Sequence, residues 1–319
     1  MKAIGYTEFG GPEVLQLMEL PEPHAGPGQV RVRVHAAAVN PADTGARSGW
    51  MHRTYAPETL PGGKYPDPPY VTGWDFCGVL DESPDGAPLE IGQQVIGLTL
   101  SPMGGVGAYA QYVVTDARSV VRAPSNATAV AASTLLMNAV TAYAMLETLA
   151  LPDGATVAVT GAAGALGGYA VQLAKHQGLQ VIADAGEADV QLVEGLGADL
   201  VLPRGDGLAE RIRDAIPHGV DGVVDAALYN DAIFPAVRDG GAITSGRQHL
   251  GSRERRVVWH AVSILEHTTR TDVLTTLRNL AEDGALTLRV ADTLSAEQAA
   301  EAHRRVEAGG LRGRLVLTW

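Results

Sequence analysis

The fold of this chain is decided by residues 157–175, which read Val157-Ala158-Val159-Thr160-Gly161-Ala162-Ala163-Gly164-Ala165-Leu166-Gly167-Gly168-Tyr169-Ala170-Val171-Gln172-Leu173-Ala174-Lys175. This order of β-branched residues, glycines and spaced apolar residues predicts a buried strand, a tight turn and an amphipathic helix. Gly161, Gly164 and Gly167 let the turn bend, let backbone N–H groups approach a pyrophosphate and let the helix pack close to the strand. The helix dipole favours an anion at the same place. The stretch therefore predicts a dinucleotide-binding turn, and a tight turn that binds nothing is the alternative.

The composition is that of an ordinary globular protein. Of the 319 residues, 46% are hydrophobic and 19% are charged, and the length is sufficient for two domains. A formal net charge of −12 would repel a polyphosphate backbone, so we expect no nucleic-acid partner. Cys77 is the single cysteine, and the hydropathy predicts neither a signal peptide nor a membrane span. We therefore expect a cytoplasmic protein without a membrane partner.

The chain divides into parts of different pattern. Residues 1–124 are rich in glycine and proline, and alternating segments at 30–35 and 107–114 predict a mainly antiparallel, barrel-like β domain. Strands and helices alternate through residues 125–265, which predicts a parallel sheet covered by helices. Residues 266–319 are mixed and are expected to complete the first domain.

The alternation can be assigned element by element. In the second domain we expect strands over 156–160, 180–183, 200–202, 222–225 and 242–245, and helices over 132–149, 165–176, 190–196 and 208–216. In the tail we expect a strand over 286–290, a helix over 295–307 that Ser295 caps, and a final strand over 315–317.

Several motifs occur together in an order that resembles one known family. They are Asn40-Pro41-Ala42-Asp43, Arg47-Ser48-Gly49, Gly73-Trp74-Asp75-Phe76-Cys77-Gly78, the segment 107–114 and the glycine turn. On these motifs nearly the whole chain resembles the quinone oxidoreductase branch of the medium-chain dehydrogenase/reductase superfamily. The resemblance implies an α/β protein with a GroES-like β-rich catalytic domain and a Rossmann domain with a doubly wound parallel sheet. It also implies a cleft between them for nicotinamide and substrate, and a homodimer.

The resemblance argues against zinc. Classical alcohol dehydrogenases of this superfamily have a cysteine ligand where this chain has Asn40-Pro41, and a histidine ligand where it has Trp74. Cys77 stands alone, whereas their structural zinc needs four ligands. We therefore expect no metal. The hydride chemistry that remains is conjugate reduction of a small-molecule quinone, enone or enal.

The resemblance also implies residues for positioning the cofactor. Asn40 and Thr141 match positions near the nicotinamide; a turn-forming Asn and a helical Thr that bonds its own backbone are the alternatives. Ser245 and Gly246 lie at the carboxyl end of the strand expected over 242–245, and ligands bind at such ends in doubly wound sheets. Arg314 is a further candidate for the nicotinamide end. A plain turn glycine at 246 and a solvated arginine at 314 are the alternatives. The turn residues expected to bind the cofactor are Gly161, Ala162, Ala163, Gly164, Ala165 and Leu166.

The proton donor stays open. Some relatives have a tyrosine shortly after the Arg-Ser-Gly motif, where this chain has Trp50-Met51-His52. Tyr55 and His52 join Asn40 as catalytic candidates, and water is the alternative donor.

The sequence carries conflicting signals for cofactor choice. Asp184 lies at the separation expected of a carboxylate that binds the ribose 2′-hydroxyl of NADH. Arg204 lies where relatives reach the 2′-phosphate of NADPH. The resemblance favours NADPH and leaves NADH as the alternative.

Two other functions remain as alternatives. An enoyl-thioester or polyketide-tailoring reductase would use a basic rim, for which Arg253, Arg255 and Arg256 form a local cluster. A non-catalytic NAD(P)H-binding redox sensor is the second alternative, because the matching tyrosine is missing.

Overall fold

The structure, a computed structural model, describes residues 1–54, 56, 64–84, 88–100, 106–247 and 249–319. The chain separates into two units. The first comprises Met1–Met137, Leu265–Gly284 and Leu288–Trp319, and the second comprises Asn138–Ile264 and Ala285–Thr287. Residues 125–137, which the sequence analysis assigns to the second domain, cluster with the first unit. The domain boundaries themselves stay a prediction.

The first unit contains the N-terminal and C-terminal elements of the chain. Its described strands are β1 (Lys2–Gly5), β2 (Gln16–Glu19), β3 (Gln29–Ala38), β4 (Asp75–Glu82), β5 (Gln94–Leu98), β6 (Tyr112–Asp116), β7 (Val120–Arg122), β14 (Val290–Ser295) and β15 (Arg314–Thr318). Its helices are α1 (Pro41–Arg47), α2 (Trp50–Thr54), α3 (Ala129–Ala132), α8 (Thr271–Glu282) and α9 (Ala299–Ala308).

An antiparallel sheet organises this unit. In the described residues its order is β14-β15-β3-β4-β5-β7, with β6 also paired to β3, and the β14–β15 pair is parallel. On β3 the alternation of the sequence buries Val30, Val32 and Val34 on one face, as a period of two predicts. The β-rich first domain is therefore confirmed.

The second unit has the alternating pattern. Its described strands are β8 (Thr156–Thr160), β9 (Gln180–Ala185), β10 (Leu200–Pro203), β11 (Val220–Asp225), β12 (Val237–Ser245) and β13 (Val258–Ala261). Its helices are α5 (Ala165–His176), α6 (Val190–Gly195) and α7 (Leu208–Ala215), and α4 (Leu136–Leu149) crosses from the first unit into it.

Its sheet is parallel in every described pair, with the order β10-β9-β8-β11-β12-β13. This is the doubly wound order, in which the chain reverses direction across the sheet after β10 and places ligands at the carboxyl ends of the strands. The Rossmann prediction is confirmed. The carboxyl ends of β8, β9, β11 and β12 carry Thr160, Asp184, Asp225 and Ser245.

Four expectations about elements differ from the structure. The helix expected over 132–149 is divided, since α3 ends at Ala132 and α4 begins at Leu136. The strand expected over 286–290 is wrong: β14 begins only at Val290, where its partner β15 begins with Arg314. In the segment 107–114 the strand begins at Tyr112. Ser295 does cap, but it caps a 3-10 turn, Ala296–Gln298, that precedes α9. Strand β13 was not predicted.

The helical stretch Ala129–Leu149, which includes α3 and α4, is long and apolar enough to cross a bilayer by length and composition. Of its most apolar window, 61% is buried within the protein, which is the pattern of a core helix.

Candidate functional site

The glycine turn of the second unit joins β8 to α5. Gly161 follows Thr160 with φ +66°, a conformation that side chains disfavour, and Gly164 is the N-cap of the helix. A Cβ on Gly167 would lie 2.2 Å from the carbonyl oxygen of Gly161. Only glycine at position 167 therefore lets the helix approach the turn this closely.

This geometry fits a dinucleotide phosphate. The N-cap Gly164 has no side chain with which to cap the helix, so the first turn of α5 begins without the usual side-chain acceptor. An anion at this end is favoured by the N–H groups and by the helix dipole. The turn Gly161 to Leu166 is thus suited to hold the pyrophosphate of a nicotinamide dinucleotide.

Asp184 lies within β9 and its carboxylate is directed toward the glycine turn. Its Oδ1 accepts hydrogen bonds from the backbone N–H of Gly161 at 2.5 Å and of Ala162 at 3.4 Å. Its Oδ2 accepts the Tyr229 hydroxyl proton at 3.3 Å. Burial raises the pKa of Asp184, opposed by these bonds and by the charge of Arg204. The carboxylate expected at the ribose is therefore already bonded to the protein through both oxygens.

The other candidates in the second unit lie at the same edge or on α4. Arg204 directly follows β10, is exposed, and its backbone N–H bonds the Ala185 carbonyl at 3.0 Å. Ser245 ends β12, fully buried, and its Oγ accepts from the Arg247 N–H at 3.3 Å. Gly246 follows it, and Thr141 lies on α4.

In the first unit, Asn40 is the N-cap of α1 and is buried. Its side-chain Nδ2 donates to Asp75 Oδ1 at 2.8 Å and to the Ala38 carbonyl at 3.3 Å. Its backbone N–H donates to Asp43 Oδ2 at 2.8 Å. Two acceptors within the protein take the amide hydrogens of Asn40 and a carboxamide is not acidic, so this geometry offers no proton donor, and a positioning role for Asn40 stays a prediction.

Asp75 was not among the candidates from the sequence, although it lies in a quoted motif. It is 1% exposed and also accepts the backbone N–H of Met137 at 3.1 Å. Burial raises its pKa to about 6, against the lowering effects of the Arg314 charge and the Asn40 hydrogen bond. The available signal was an acidic residue at the start of the apolar strand β4.

Arg314, the first residue of β15, is 4% exposed. Its Nη2 donates to the Val39 carbonyl at 2.5 Å, while its Nη1 is buried and has no hydrogen-bond partner in the described part of the chain. An orphaned guanidinium nitrogen is costly unless a ligand accepts from it. Arg314 therefore fits the role of a cofactor-binding residue.

Asp43 fixes the loop before β4. It is fully buried and accepts the Thr72 hydroxyl proton at 2.7 Å and the Gly73 N–H at 2.9 Å, in addition to the Asn40 N–H. The Tyr109 hydroxyl lies 3.4 Å from the same carboxylate and 3.3 Å from Nε2 of His303. Burial raises the pKa of Asp43 and lowers that of His303 to about 3.

His52 lies on α2 in an aromatic cluster. Its ring stacks on Tyr65 with centroids 3.8 Å apart and contacts Phe9 at 4.4 Å. Both ring nitrogens are buried without a hydrogen-bond partner among the described residues, and burial lowers the pKa of the imidazole. Burial thus disfavours the protonated form of the His52 ring. Tyr55, the other candidate donor, lies outside the described residues.

The described residues do not fit a zinc ion. Among them, no group of three or more His, Cys, Asp or Glu side chains is arranged to hold a metal. Asn40 and Trp74 stand where classical alcohol dehydrogenases have zinc ligands. Asn40 donates its amide hydrogens within the protein, and the Trp74 indole can only donate a hydrogen bond.

Two family models match the chain. The alcohol dehydrogenase GroES-like domain matches residues 26–125, and a zinc-binding dehydrogenase matches residues 196–317. In the ranges that the structure describes, no group of His, Cys, Asp or Glu side chains could hold the zinc that the second family description names.

Curated relatives and solved structures agree with these models. The chain is 29% identical to the 2-methylene-furan-3-one reductase of Solanum lycopersicum over 259 residues, 76% of this chain but only 61% of that protein. It is 30% identical to a chloroplast envelope quinone oxidoreductase homolog of Arabidopsis thaliana over 241 residues, 70% of this chain and 69% of that one. A mycobacterial protein solved with NADPH has a TM-score of 0.84 at 25% identity, with 100% of both chains covered. The chain therefore belongs to the medium-chain dehydrogenase/reductase superfamily and to its quinone oxidoreductase branch.

Proposed function

We propose that this chain is an NADPH-dependent reductase of small quinones, enones or enals that works without zinc. The observation that carries the proposal is the glycine turn, where α5 begins at Gly164 without a side-chain cap and its first backbone N–H groups suit a diphosphate. The relatives named for quinones and for a furanone support the substrate class.

The candidate residues are taken for each unit separately. In the second unit, Gly161 to Leu166 bind the pyrophosphate, and Thr141, Ser245 and Gly246 contact the nicotinamide half. In the first unit, Arg314 donates from its orphaned Nη1, and Asn40 is held in place by Asp75. When bound, the reduced nicotinamide supplies a hydride for the electron-poor alkene or quinone.

The protein must also stabilise the negative charge that gathers on the substrate oxygen and deliver a proton. Arg314 supplies a fixed positive charge in a buried position. We propose His52 as the proton donor from its unpartnered ring nitrogens, with Tyr55 and water as the alternatives. The proton would come from the imidazolium form of His52, which burial disfavours, so we expect the rate of reduction to fall as the pH rises.

The enoyl-thioester alternative depends on the arginine cluster at 253–256. Arg255 packs its guanidinium 4.4 Å from the centre of the Phe234 ring and donates to the carbonyls of Val237 and Phe234. Arg253 and Arg256 are exposed. Two arginines thus remain for a phosphopantetheine arm, which makes this the second candidate function. The redox sensor is the third.

One experiment separates the three. NADPH oxidation is followed with 1,4-benzoquinone, an enal, an enone and an enoyl-CoA thioester, and the reduced products are identified. We expect turnover with the quinone or enone and reduction of the C=C bond or quinone, with the same rate after treatment with a chelator. Turnover restricted to the thioester would favour the second candidate. Tight nucleotide binding with no turnover over the panel would favour the sensor, and an alcohol product or inhibition by the chelator would contradict the proposal.

A homodimer and a cytoplasmic location complete the proposal. In the second unit β13 is an edge strand of the described sheet, and Val258 on it is 48% exposed. Such an edge is suited to pair with a second copy. Light scattering of the purified protein at several concentrations measures the oligomeric state.

A further inference from the structure

The Tyr229 hydroxyl bonds to Gly205 and to Asp184, and neither the sequence motifs nor the glycine turn explains these contacts. Tyr229 precedes a 3-10 turn, Asn230–Ala236, between two residues in the left-handed region, Leu228 with φ +60° and Asn230 with φ +53°. This backbone shape is disfavoured for side chains other than glycine. The structure must therefore hold it in place.

Asp225 supplies that support. It ends β11 and is fully buried, and its Oδ1 accepts the Thr160 hydroxyl proton at 2.7 Å and the Tyr229 N–H at 3.0 Å. Its Oδ2 accepts the Asn230 N–H at 2.8 Å. These bonds hold the backbone at Tyr229 and Asn230, independently of what the Tyr229 hydroxyl contacts.

The Tyr229 hydroxyl connects Asp184 in β9 to the loop that follows the neighbouring strand β10. It accepts the Gly205 N–H at 2.9 Å and donates to Asp184 Oδ2 at 3.3 Å. Since Asp184 Oδ1 accepts from Gly161, the hydroxyl completes a bridge from the loop after β10 to the glycine turn. Asp184 is 3% exposed, so its charge is turned into the protein.

Arg204 is the charged group that this arrangement leaves at the surface. It is exposed, and its Cδ lies 3.7 Å from where a Cβ on Gly186 would stand, directly after β9. Within the described ranges its guanidinium makes no ion pair shorter than 4.0 Å. Its positive charge also acts on Asp184 and Tyr229.

We propose that Tyr229 is a specificity-determining residue: by holding the Asp184 carboxylate toward the glycine turn, its hydroxyl removes the acceptor that NADH would use and leaves Arg204 to favour the 2′-phosphate of NADPH. The inference depends on the proposed dinucleotide binding. It assigns the cofactor preference to one hydroxyl group on a residue outside the glycine motif.

The test is the Tyr229→Phe variant, with dissociation constants for NADPH and NADH measured by calorimetry. The change removes one oxygen atom and leaves the backbone bonds to Asp225 intact. We expect the preference for NADPH over NADH to fall by about fivefold, because Asp184 Oδ2 gains a free lone pair and its charge is less compensated. Tyr112→Phe, a hydroxyl removed from a tyrosine of the first unit, is the matched control and is expected to leave both constants unchanged.

A double-mutant cycle distinguishes specificity from a purely structural effect. In an Asp184→Asn background the Tyr229→Phe change should no longer alter the ratio of the two constants, because the effect acts through that carboxylate. Arg204→Met should weaken NADPH by at least about tenfold and leave NADH within about twofold. Should Tyr229→Phe not fold, these two single variants still test the assignment of the charges.

The outcomes separate this inference from the proposed function. If the native protein binds neither nucleotide, both fail. If it binds NADPH, and Tyr229→Phe changes both constants in parallel or neither of them, the specificity role is overturned and the proposed function stands.

Discussion

The glycine turn of the second unit and the Asn40 cluster of the first unit, which comprises Asn40, Asp43 and Asp75, are built from different kinds of chemical group. The turn presents backbone N–H groups, and its shape requires residues without a Cβ at positions 161 and 167. The Asn40 cluster presents side chains that buried carboxylates hold in position. A backbone site depends on local geometry, whereas a side-chain site depends on hydrogen bonds between residues far apart in the chain.

The largest effect of a substitution on cofactor binding is expected at Gly167, where the glycine turn leaves no space for a side chain. In Gly167→Ala the new methyl group would lie 2.2 Å from the Gly161 carbonyl oxygen, so the turn must shift. We expect NADPH binding to weaken by at least about 100-fold, measured by calorimetry, together with a lower melting temperature.

Gly195→Ala on α6 is the matched control, since nothing lies within 4 Å of the added Cβ. It should bind NADPH like the native protein. If Gly167→Ala binds NADPH within about threefold of the native protein, close packing at the turn does not control binding.

In the Asn40 cluster we expect the contribution of Asp75 to the stability of the protein to depend on pH. The pKa of Asp75 is raised by burial from 3.8 to about 6, so its contribution to stability is fully present below pH 3.8 and is lost as the pH rises through about 6. Between pH 4 and pH 7 we expect the free energy of unfolding of the native protein to fall by about 2 to 3 kcal/mol relative to that of Asp75→Asn.

Urea unfolding at pH 4, 5, 6 and 7 measures this difference. Asp67→Asn is the control, because the Asp67 side chain is 91% exposed. Parallel pH profiles for the native protein and Asp75→Asn would mean that Asp75 titrates alike in the folded and unfolded states.

The smallest effect is expected at His52, where stability and activity should change in opposite directions. His52→Phe removes two buried nitrogens that lack partners among the described residues and keeps an aromatic ring against Tyr65. We expect the free energy of unfolding to rise by about 1 kcal/mol and the rate of quinone reduction to fall by at least about tenfold. A stabilised variant with the native rate would remove His52 from the candidate donors and leave Tyr55 or water.

The comparison also explains what the sequence could predict. Strand β8 and helix α5 have the bounds expected from the sequence, because glycine positions and hydrophobic periodicity act over a few residues. The direction of Asp184 was not predictable in this way: its spacing matches a ribose-binding carboxylate, yet its contacts are with Gly161, Ala162 and Tyr229. Asp75 and Tyr229 were missed because their side-chain partners are distant in the chain, and the one local signal was the acidic residue at the start of the apolar strand β4.

The sequence by itself determined the parallel and antiparallel sheets, the glycine turn and the family, since these follow from local spacing and from the order of short motifs. Only the tertiary structure decided which carboxylates face inward, which arginine nitrogen is left without an acceptor and how Tyr229 joins the ends of neighbouring strands. The physical reason is that a strand or turn is specified by its neighbours along the chain. The protonation and direction of a buried polar group are instead set by burial and by partners that folding brings from elsewhere.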